Sequence, residues 1–317
     1  MPAGLCQHAA MAELTILTDG LKFPEGPVWM PDGTLLVGEI ATGTLTRVHP
    51  DGRKETVARC GGGVNGVAIG PDGAAYVCNN GGSVHTEVPS RGWLLPGDQA
   101  DDYQGGGIQR VDLATGECTW LYTHVDGHRL RGPNDLVFDT DGGFWFTDHG
   151  KGRARDRDRG GLYYARPDGS LLREVLYPLD GPNGVGLAPD GSRVYVAETF
   201  SGRLWAWDVT APGELAAKPH GRVFGGQLLV GLPGYDMFDS LAVDAAGNVC
   251  VATIGDHSGI TVVAPDGSGY EHVLMPDPIT TNVCFGGPEL RTAYVTLSAT
   301  GRVAVTEWPR PGTPLAF

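Results

Sequence analysis

Six polar residues stand at matching places along the chain: Glu25, Asn65, Asn134, Asn183, Asp239 and Asn282. Each opens a short apolar stretch, so a fold that repeats those stretches around an axis would gather the six side chains at one place. Carboxylate and amide oxygens are the donor set of a hard cation. Calcium takes about six to eight oxygens in irregular geometry and accepts water among them. Two carboxylates neutralise a divalent ion, and the amides add ligands without further charge. Neither His nor Cys occupies the six positions, which argues against a closed, soft zinc site. Asn and Asp also suit turns, where their side chains satisfy local backbone groups. One such residue reads as a turn, but six in one register read as a collar. Calcium is the expected ion, with zinc, manganese or magnesium as alternatives.

The elements that position these residues repeat. The units begin EGPVWMPDGTLLVGEI, NGVAIGPDGAAYVCNN, NDLVFDTDGGFWFTDH, NGVGLAPDGSRVYVAET, DSLAVDAAGNVCVATI and NVCFGGPELRTAYVTLS, and their starts lie 40, 69, 49, 56 and 43 residues apart. In each, a short alternating strand runs into a D-G or related turn and then a β-rich strand, a strong hairpin signal. A second hairpin follows, making about four strands per unit at the spacing of propeller blades. The expected fold is all-β, a six-bladed β-propeller, since six equivalent units suit radial closure better than a sandwich. ELTILTDGL, before the first unit, would supply the outer strand of the last blade. The longest interval holds HTEVPSRGWLLPGDQADDYQG, expected to form a loop over one face. Residues 1–12 read as a disordered extension, with Met11 the more natural start, and residues 13–317 as one propeller domain.

Composition removes several classes of function. A net charge of −14 repels phosphate backbones, so no nucleic acid partner is expected. No apolar run reaches the roughly 20 residues that span a bilayer, so no membrane partner is expected either. MPAGLCQHAAMAEL lacks a basic start and a long apolar core, which argues against a secretory leader and for a cytoplasmic location. The six cysteines are scattered and never spaced CxxC, so they are expected as reduced thiols, with Cys78, Cys250 and Cys284 in core strands. Oligomeric state is not legible.

FPEGPVW, RGPNDLVFDTDGGFWFTD, GPNGVGLAPDGSRVYVAET, DSLAVDAAGNVCVA and TNVCFGGPELRTAYVT together resemble the SMP-30/gluconolactonase/LRE-like (regucalcin-like) family, from about Glu13 to Trp308. The resemblance implies a propeller that hydrolyses sugar lactones with a divalent metal. It places the metal ligands on Glu25, Asn183 and Asp239, and makes Asn134 a substrate contact or further ligand. The position that holds an Arg in some lactonases is Gly132 here, with Arg131 beside it, and the usual PDG before the fifth inner strand is FDS. Asp239 is the candidate for activating water, and Asn134, Asn65 and Arg131 for orienting substrate. A second set, Glu39, Asn79, Asn80, Asp148, His149 and Glu198, follows the second strand of each blade and is expected near the opposite rim. Within it Asp148 and His149 are a candidate acid–base pair. Tyr235, Met237 and Phe238, just before Asp239, are pocket candidates, as is Asn282. The expected function is metal-dependent opening of a sugar (aldono-)lactone such as gluconolactone. An esterase or phosphotriesterase, or a non-catalytic metal-stabilised binding propeller, are the alternatives.

Overall fold

The computed structural model describes residues 6–8, 13–216 and 225–317. It contains no α-helix among them. Six sheets follow one another along the chain, antiparallel within each hairpin. The first four run in sequence order from the axis outward, while the fifth and sixth each add an outermost strand from the N-terminal part of the chain. The innermost strands are Pro24–Trp29, Val64–Ile69, Pro133–Phe138, Pro182–Leu187, Met237–Val243 and Thr280–Gly286. Each touches the next and the last touches the first, closing the ring as a six-bladed β-propeller. No helix is long and apolar enough to cross a membrane among the described residues.

Closure is made by the strand that sequence reading assigned to it. Thr15–Thr18 pairs antiparallel with Arg302–Glu307, Thr15 opposite Val305 and Ile16 opposite Ala304. The last blade thus takes its outer strand from the N-terminal part of the chain, which ties the two ends of the propeller together through one sheet. Of the segment expected as a disordered extension, residues 1–5 and 9–12 lie outside the described residues. Cys6–His8 runs parallel to Tyr270–Leu274 at the outer edge of the fifth blade.

The core lies between blades. Six separate apolar clusters fill the six seams, one to each. Trp145, Tyr164, Val194 and Trp207 fill the seam between the third and fourth blades. Phe144, Phe146, Phe138 and Tyr76 fill the one before it. A buried side chain of this size contributes about 1.5–3 kcal/mol. This division of the core holds the blades side by side and leaves the starts of the innermost strands to polar groups.

The 69-residue interval resolves into a hairpin, Ser83–Val88 with Trp93–Gln99. Its tip reaches from the second blade to the sixth, where the Leu94 amide donates to the Ala299 carbonyl at 2.8 Å.

Candidate metal centre

Every innermost strand carries a register shift at its start. The shifts fall between Glu25 and Val28, Val64 and Val67, Pro133 and Leu136, Pro182 and Val185, Phe238 and Leu241, and Thr280 and Asn282. A bulge adds a residue to one strand and re-aims the side chain there. Asn65, Asn134, Asn183 and Asp239 sit inside these bulges and Glu25 and Asn282 at the edges of theirs, so the kink recurs where the polar residue stands. All six are buried. Close approach of neighbouring strands requires glycine next to two of them. Gly26 has φ +51°, and a Cβ there would stand 2.4 Å from the Asn65 carbonyl oxygen; one on Gly66 would stand 2.6 Å from that of Asn134.

Where the first, second and fourth blades follow the collar residue with glycine, the third has Asp135. Its carboxylate accepts the Leu136 amide at 3.0 Å and the Val185 amide at 3.3 Å. With the Leu241 amide of the fifth blade also favouring its charge, Asp135 stands among three blades, an acid that the repeat alignment passed over. Its position one residue after Asn134, where other units have glycine, was the available signal.

Three acids thus share one dry space, and each is driven toward its protonated form. Burial raises Glu25 to about 7, against the Gly26 amide at 3.0 Å and the Asn282 amide at 3.2 Å, which favour its charge. Burial, then the Glu25 charge, raises Asp135 to about 8. Asp239 is pushed well above the ordinary carboxylate range by burial, then by Glu25, with Asp135 adding and the Asn183 amide opposing. A cation bound beside these acids would favour the charged form of each.

The amides complete the case for a cation. Asn65 Oδ1 and Asn134 Oδ1 are buried without a hydrogen-bond partner. A buried orphan acceptor costs about 1–3 kcal/mol, so native structures rarely leave one without a reason. Asn183 is held by Thr199 Oγ1 at 3.1 Å and Ser240 Oγ at 3.2 Å, leaving Oδ1 a further lone pair. Among the described residues no three His, Cys, Asp or Glu side chains form a metal cluster by themselves. The donors here are mixed carboxylate and amide oxygens, the chemistry of a hard ion.

Residues 23–299 match the family described as the SMP-30/Gluconolactonase/LRE-like region. The chain belongs to that family. It is 26% identical over 302 residues to the gluconolactonase of Zymomonas mobilis, covering 86% of this chain and 76% of the relative. It is 30% identical over 267 residues to lactonase drp35 of Staphylococcus saprophyticus, covering 83% and 72%. In fold it resembles a calcium-binding regucalcin of Agrobacterium tumefaciens, with TM-score 0.74, 19% identity, and coverage of 99% and 100%.

In this SMP-30-like chain the second set of polar residues lies on the same rim as the collar, correcting the expectation of the opposite rim. The hairpin register explains it: Glu39 is opposite Pro24, Asn79 opposite Val64, Asp148 opposite Pro133 and Glu198 opposite Pro182. These four tie down loops. Asp148 accepts the Arg131, Gly132 and Gly150 amides at 2.6, 2.7 and 2.9 Å. Glu198 accepts the Asp180 amide at 2.8 Å and Trp205 Nε1 at 2.9 Å. Glu39 accepts the Lys22 amide at 2.7 Å, and Asn79 bonds Gly61 and Gly63.

The Asp148–His149 acid–base couple does not form, because the Asp148 carboxylate is taken up by those backbone amides. His149 Nδ1 is buried without a partner, its ring packs on Phe200 at 5.2 Å, and burial lowers its pKa to about 4. Phe238 is also corrected: it is fully buried in the seam between the fourth and fifth blades, not in a pocket. Tyr235 is 78% exposed. The Arg131 side chain is exposed, while its carbonyl accepts the Tyr103 hydroxyl at 2.6 Å.

Proposed function

We propose that this chain is a lactone hydrolase, acting on a sugar (aldono-)lactone such as gluconolactone with a divalent cation, calcium first, held by Glu25, Asn183 and Asp239. What carries the reading is the collar: three buried acids and two orphan amide oxygens around one channel mouth. Family relatives named gluconolactonase and lactonase support it.

A bound divalent ion supplies the charge that polarises a carbonyl and offsets an oxyanion. The chain's own residues do the rest. Asp239 accepts the proton of the attacking water and returns it to the ring oxygen as the C–O bond breaks. Asn134 and Asn65 turn their orphan oxygens to the ion or to substrate hydroxyls beside it. Asn282 orients Glu25 through its amide. The hairpin anchored on Ala299 stands on the same rim and limits approach from solvent.

A pH-indicator panel of aldonolactones, simple lactones, aryl esters and phosphotriesters tests the reading, with and without chelator, on the native chain and Glu25→Gln. Lactone turnover abolished by both chelator and substitution is the expected result. Turnover confined to the other esters would replace the substrate class, and chelator-insensitive turnover would remove the cation. No turnover on any substrate, with calcium still raising the melting temperature, would make the chain a metal-stabilised binding propeller.

A further inference from the structure

Two thiols outside the collar face each other across the seam of the first and second blades. Cys60 follows the outer strand Lys54–Arg59 of the first, and Cys118 opens the outer strand Cys118–Tyr122 of the second. Their sulfurs are 2.8 Å apart, though 58 residues separate them in sequence. That is closer than the packing of two apolar groups, whose heavy atoms meet at about 3.5–4.0 Å.

The backbones meet there as well, as a cross-link needs. A Cβ on Gly116, two residues before Cys118, would stand 2.5 Å from the Val57 carbonyl oxygen, three residues before Cys60. Val57, Cys60, Leu113 and Cys118 pack against one cluster. Both cysteines are only partly buried, so a small oxidant reaches them, whereas Cys78 and Cys250 are sealed in the core.

We propose that Cys60 and Cys118 form a reversible inter-blade disulfide by exchange with a small-molecule disulfide. The Cys118 thiolate attacks the small disulfide, forming a mixed disulfide and releasing one thiol. Cys60 then gives up its proton and attacks the Cys118 sulfur, displacing the second thiol. Two protein thiols are oxidised and one small disulfide is reduced to two thiols. Cys118 leads because burial, then the neighbouring sulfur, keeps the Cys60 thiol protonated. The link would reach the collar through the backbone, since Gln109 Nε2 holds the Cys60 carbonyl at 3.2 Å and Asn79 Nδ2 the Gly61 carbonyl at 2.8 Å.

The test treats the full reduced chain with oxidised glutathione and maps its thiols by mass spectrometry. The expected result is a peptide pair joined at Cys60 and Cys118, reversed by dithiothreitol, with Cys78 and Cys250 unmodified. Cys118→Ser should lose the joined pair, and the oxidised native chain should melt several degrees higher than the reduced one, as closing a long loop stabilises a fold. Glutathione retained on either cysteine without a joined pair, or both thiols unmodified under conditions that oxidise a control dithiol, would overturn the proposal.

Discussion

Gly26→Ala probes the collar's backbone, and its cost separates into two parts. Gly26 has φ +51°, where a side chain costs about 1–2 kcal/mol. The new methyl would also stand 2.4 Å from the Asn65 carbonyl oxygen and 2.7 Å from the Val67 amide nitrogen. Both are backbone atoms of the next innermost strand, so relief requires that strand to shift. Overpacking of this kind costs about 1–3 kcal/mol. Gly73 supplies the control: its φ is +73°, and nothing lies within 4 Å of a Cβ built there. Gly73→Ala therefore incurs the conformational cost alone. At about 2–4 °C per kcal/mol, Gly26→Ala should melt roughly 3–10 °C below Gly73→Ala, measured by circular dichroism with chelator present so that metal binding does not enter. Equal melting temperatures would refute the claim that contact between neighbouring collar strands is tight.

Asp239→Asn should abolish lactone hydrolysis while the chelated protein melts as the native chain does; near-native rates would remove its role as base. Burial raises Glu25 from 4.5 to about 7, so its stabilising contribution is complete below pH 4.5 and lost as pH rises through about 7. The melting temperature of chelated protein should fall across that window, less steeply for Glu25→Gln, and an identical slope in the two would contradict the assignment. Phe238→Ala should cost about 3–5 kcal/mol by chemical denaturation with KM unchanged, because the ring fills a seam; an altered KM at native stability would return it to the pocket. Removing residues 1–18 strips the strand paired to Arg302–Glu307, and the truncated chain should melt about 10 °C lower or aggregate through the bare edge. Native-like melting would show that closure does not depend on that strand.

Much of the architecture was legible in one dimension because it is repetitive. Six similar units with D-G turns specify hairpins locally, and period-two alternation specifies strands, so blade number and the closing strand could be read from residue order. The collar residues were legible for the same reason, since pseudo-symmetry carries each to the same place. Alternation fails where a bulge inserts a residue and shifts its parity. Phe238 stands at the edge of such a bulge, so proximity to Asp239 suggested a pocket while the kink turned it into the seam. Asp135 was hidden because it occupies a position that is glycine in other blades, and only packing of neighbouring strands puts its carboxyl among three of them. The rim shared by Asp148 and the collar is a consequence of pairing, as a hairpin returns its last residue beside its first. Residue types alone determined that oxygen donors would gather at one mouth of a propeller. Which acids share charge there, which side chains are taken up by loop amides, and which two cysteines meet were decided by the tertiary structure, because each depends on distances between blades far apart in sequence.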